Sequence, residues 1–179
     1  TQLSPARRKV LNDTLRDFVL GGAELQGAAR ARFAAIQERC AALSQQFGEH
    51  VLDATDAFAL DVQQDELAGV PADVVQAARQ AAQAAGTAGL RLTLQAPCYG
   101  PVLQYASNRG LRETMYRAYN TRASEFGPPA LDNSAPMQEL LALRQEEAAL
   151  LGHASFAELS LVARMARSRR RPATTSTTW

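Results

Sequence analysis

Phe33, Ile36, Cys40, Leu43, Phe47 and Val51 recur at intervals of three or four residues. That spacing places all six on one side of an α-helix. No proline interrupts the stretch from about Gln26 to Ala57, so it reads as one long amphipathic helix. Arg32, Glu38, Arg39, Gln45 and Glu49 are assigned to its opposite, solvent-facing side. A helix of this length needs another long helix to lie against. The chain is thereby committed to a mainly α architecture before any other segment is considered.

The flanking segments carry local start and stop signals. Ser4-Pro5 opens a first helix: serine caps, and proline fits the first turn because its missing N–H has no partner there. Leu11, Leu15, Phe18 and Val19 share one face of it, and Gly21-Gly22 ends it. At Phe58, Leu60 and Val62 the period drops to two, which predicts a short strand over 58–62. Pro71 opens an alanine-rich helix, Ala72 to Ala85, that Gly86 stops. Leu90, Leu92 and Leu94 alternate again, predicting a second strand over 90–95 that runs into Ala96-Pro97. The two strands are expected to pair as a small sheet appended to a helical body. Asn108 caps a helix carrying Leu111, Met115 and Tyr119 on one face, and Gly127-Pro128-Pro129 breaks the chain. Asn133-Ser134 starts a helix through Leu151 that ends at Gly152. Ser155-Phe156-Ala157-Glu158 has the spacing of a capping box and opens a last helix with Leu159, Leu161, Val162 and Met165.

A search for chemistry returns little. Two histidines, His50 and His153, lie far apart, and neither belongs to a His-Glu-x-x-His, the arrangement that puts two metal ligands and a general base on one helix face. His50 reads as a surface or packing residue, and His153 as a helix-end residue. Cys40 and Cys98 sit in no CxxC, and a Cys–His nucleophile pair has no local support. No GxSxG and no glycine-rich phosphate loop occurs. Tyr99, Tyr105, Tyr116 and Tyr119 interleave with Arg109, Arg112, Arg117 and Arg122, which suggests a nucleic-acid surface. Glu113 and Glu125 dilute that charge, and a net charge of +1 supplies no overall field for a polyanion. A helix with an aromatic core face explains the pattern better. No apolar run is long enough to span a bilayer, and the N-terminal residues lack the apolar core of a signal peptide. No residue is therefore assigned a catalytic, cofactor-binding or metal-ligating role, and neither nucleic acid nor membrane is expected as a partner.

Five stretches, in order, resemble the thimet oligopeptidase/oligopeptidase A family: NDTLRDFVLGGAEL (12–25), RFAAIQERCAALSQQFGEHVLDATDAFAL (32–60), DELAGVP (65–71), LRETMYRAYNTRASEFGP (111–128) and ELLALRQEEAALLGHASFAELSLVARMA (139–166). The resemblance implies a neurolysin-like helical lobe, an array of long helices with a small two-strand element. It implies that the full-length protein cleaves short peptides in the cytoplasm with one zinc ion inside a deep channel. The zinc ligands of that family lie beyond the matched region, so this chain would supply a channel wall and no chemistry of its own. A helical binding or scaffold protein that kept the lobe is the alternative. Faces built for the missing catalytic lobe would leave apolar surface exposed and favour a homo-oligomer.

Residues 1–166 are expected to form the lobe fragment and 167–179 a tail foreign to the family. Arg167, Arg169, Arg170 and Arg171 lead into a threonine-rich end without helical period. Codons such as GAG TCG CCG GCG, read one base out, contain AGT CGC CGG, which encodes Ser-Arg-Arg as at Ser168, Arg169 and Arg170. The tail accordingly reads as disordered or as the product of a shifted reading frame.

Overall fold

The computed structural model describes residues 3–164. Met165 and the arginine-rich tail lie outside the described residues, as does the expectation of a shifted frame. The described chain is mainly helical, with α1 (Pro5–Leu20), α2 (Gly27–Asp56), α3 (Ala72–Ala84), α4 (Ala96–Tyr105), α5 (Arg109–Thr121), α6 (Ser134–Leu150) and α7 (Phe156–Val162). Two strands, β1 (Leu60–Val62) and β2 (Leu90–Leu92), form one antiparallel pair. The chain divides into two compact units: the residues through Leu43 with those from Met137 onward, and Ser44–Pro136.

In the first unit the α2 stripe finds its long partner. Ile36 and Leu43 bury against Leu140 and Leu143 of α6, with Cys40 and Leu150 packed around them. Arg32 Nε donates to Glu146 at 2.6 Å, and Arg39 Nε donates to Glu139 at 2.6 Å. A second nitrogen of each guanidinium completes the fork. As the number rises by two turns on α2 it falls by two turns on α6, so the helices run antiparallel. Arg32 and Arg39 thus flank the seam instead of occupying the far side. They sit at the edge of the apolar stripe, where a long side chain can reach across while its head stays wet. Each bridge is about half exposed and adds little to stability. The pair fixes register, and the buried apolar residues hold it.

The second unit is built round a different core. Val62, Leu67, Ala78, Leu90, Leu92, Leu94, Val102, Ala106, Leu111 and Met115 form one cluster. Leu60, Asp61 and Val62 pair with Leu92, Arg91 and Leu90. Asp61 and Arg91, opposite one another, join in a two-pronged ion pair at 2.8 and 3.0 Å. Both strands are shorter than predicted, yet Leu94 continues the alternation into the core.

Helix α4 was not predicted. The second strand is expected to run into Ala96-Pro97, and Gly100 and Pro101 follow within four residues. Pro97 lies in the first turn, where its missing N–H goes unmissed, and Pro101 stands inside the helix. Burial of Val102 and Ala106 offsets the cost. The turn before α3 approaches the end of α4 closely: Ser107 N–H donates to the Ala68 carbonyl at 2.7 Å. Gly69 has φ +90°, and a Cβ there would meet the carbonyl oxygen of Tyr105. Only glycine fits that position.

Three helices end in the same way. The N–H groups of Gly22 and Ala23 bond to Val19 and Phe18, those of Gly86 and Thr87 to Gln83 and Ala82, and those of Gly152 and His153 to Ala149 and Ala148. These paired bonds around a left-handed glycine are Schellman caps. At the last helix Ser155 Oγ accepts from Glu158 N–H at 3.3 Å, the forward half of the capping box.

Candidate functional site

The Ser44–Pro136 unit contains two side-chain arrangements that join separate elements. The first centres on Asn133, the one buried polar side chain among the described residues, at 1% exposed. Its Nδ2 donates to the Phe47 carbonyl at 3.2 Å, and its Oδ1 lies 2.9 Å from His50 Nδ1. Since Oδ1 can only accept, Nδ1 of His50 carries the hydrogen. Helix α6 begins at Ser134, as the sequence suggested, but the Asn133 side chain is not what caps it. That task falls to Asp132, whose Oδ1 accepts from the backbone N–H and hydroxyl of Ser134 at 2.9 and 2.7 Å. These bonds, backbone first, hold the Asp132 carboxyl below its ordinary range, and nearby His50 adds to the effect. The arrangement braces two chain segments. Its one hydroxyl beside a carboxylate, Ser134 on Asp132, lies at the start of α6.

The second is an aromatic stack. Tyr99 of α4 lies on Tyr119 of α5 with centroids 4.0 Å apart. Arg122 covers the other face of Tyr119 at 3.5 Å. Its Nη1 donates to the Tyr119 carbonyl at 2.8 Å, while its Nε is buried without a partner. Burial raises the Tyr99 hydroxyl pKa. Three members of the suspected nucleic-acid surface are therefore packed against one another. Arg112 is spent on the Ala106 carbonyl and Arg117 pairs with Glu113, leaving Tyr105 and Tyr116 exposed.

The remaining candidates stay apart. His153 follows the Gly152 cap and contributes its backbone N–H there. Neither cysteine is bridged. Cys98 Sγ accepts from Thr93 N–H at 3.4 Å, and burial pushes the Cys40 thiol up, away from reactivity. Beside α6 and α7 lies a groove of about 620 Å³ lined by Leu141, Arg144, Phe156, Leu161 and Arg164, with no titratable pair of matched acid and base in it. Among the described residues no three His, Cys, Asp or Glu side chains come together as metal ligands do, so the described residues do not fit a zinc site.

What the chain is must be read from its whole length. Residues 102–176 match Peptidase family M3. Oligopeptidase A of Haemophilus influenzae is 47% identical over 166 residues, which cover 91% of this chain and 24% of that protein. Oligopeptidase A of Salmonella typhimurium is 44% identical over 92% of this chain and 25% of that protein. The chain is similar to Peptidase family M3 over residues 102–176, and to oligopeptidases A over about nine-tenths of its own length. A third relative, Probable cytosolic oligopeptidase A of Arabidopsis thaliana, is 40% identical over 92% of this chain and 24% of its own length. The chain spans about a quarter of the length of the curated relatives it matches. Its family match reaches into the segment expected to depart from the family, since it ends at residue 176. Among the described residues no helix is long and apolar enough to cross a membrane.

Sequence reasoning missed the Asn133 node and the Tyr99–Tyr119–Arg122 stack. Asn133 stands beside a helix start, where asparagine ordinarily caps, and nothing local distinguishes a cap from a buried brace. The stack joins side chains from two helices, which no periodicity within either one reveals.

Proposed function

We propose that this chain is a channel-wall segment of an oligopeptidase, one that shapes access to a metal centre built from residues outside it. In the whole protein the metal, zinc by the family resemblance, would activate the water that attacks a short peptide. The helical segment would admit unfolded short peptides and keep folded ones out. By itself it would not hydrolyse peptides. The cytoplasm is its proposed location.

The observation that carries this reading is the 47% identity to an oligopeptidase A across 91% of the chain. Two features support it. His50 has its Nδ1 engaged by Asn133, and the residues with the best-defined geometry brace helices rather than face one another across a cleft. The buried seam of Ile36 and Leu43 on Leu140 and Leu143 holds α2 to α6, as a wall of long helices requires.

The test is a chimera. This segment replaces its counterpart in the Haemophilus influenzae relative, and cleavage of a quenched fluorescent octapeptide is followed. Retained cleavage is expected. In parallel the 179-residue chain is assayed with and without added Zn²⁺, and no turnover is expected. Turnover by the chain alone would overturn the proposal.

A further inference from the structure

We draw no further inference here: the strongest candidate, the apolar line of Leu11, Leu15 and Phe18 exposed along helix α1, is an unpartnered face, and nothing in the structure shows what covers it.

Discussion

Asn133 carries more of the fold than its position suggests. Its buried amide joins the Phe47 carbonyl to the half-buried His50 ring. Removing a buried hydrogen-bonding group leaves its partners unsatisfied. Asn133→Ala should therefore cost about 2 kcal/mol in urea unfolding, against a few tenths for an exposed asparagine. The same geometry fixes a tautomer: nitrogen-15 NMR should find neutral His50 protonated at Nδ1, and an Nε2–H form would show the amide reversed. Asp132 gives a pH dependence whose sign follows from its lowered pKa. Its contribution is complete above the ordinary value of 3.8 and is lost as pH falls through the lower folded value. Thermal melts of the wild type and Asp132→Asn should thus converge in acid and separate above about pH 4.

At the scale of elements, two kinds of position can be told apart. Seam residues act through burial. Ile36→Ala should cost about 3 kcal/mol, whereas a double-mutant cycle on Arg39 and Glu139 should return under about 1 kcal/mol. The comparison, measured by denaturant unfolding, shows whether apolar contact or the ion pairs hold α2 to α6. Turn residues act through backbone shape. Gly69→Ala should cost about 2 kcal/mol or more, because φ +90° and the Tyr105 carbonyl both oppose a side chain. Gly152→Ala, with open space around its Cβ, should cost only about 1 kcal/mol. Helix ends were legible in the sequence because a Schellman cap is local: Gly21-Gly22, Gly86 and Gly152 mark their own stops. Helix α4 was not, because Pro97 and Pro101 locally favour breakage and only the core that takes Val102 and Ala106 outweighs them.

At the scale of the whole molecule, the testable point is whether the described residues gather a metal ion. Among the described residues His50, His153, Cys40 and Cys98 each have a structural setting, and no cluster joins them to carboxylates as a metal site would. Saturating Zn²⁺ should consequently leave the melting temperature within about 1 °C, while binding at a hundred times Kd would stabilise by about 2.7 kcal/mol and raise it by several degrees. No catalytic site was legible in the sequence.

The sequence by itself determined the elements whose signals are short in range: the long α2 stripe, the Ser4-Pro5 and Asn108 starts, the glycine stops and the two alternating strands. It also carried the family resemblance, since ordered motifs survive without coordinates. Tertiary structure alone decided that α2 and α6 pair antiparallel through Arg32 and Arg39, that Asn133 is a brace, and that Arg122 stacks on Tyr119. It alone decided that the α1 stripe faces water. Periodicity shows which residues share a helix face. Whether that face is covered depends on chain far away in sequence, and on partners outside the chain.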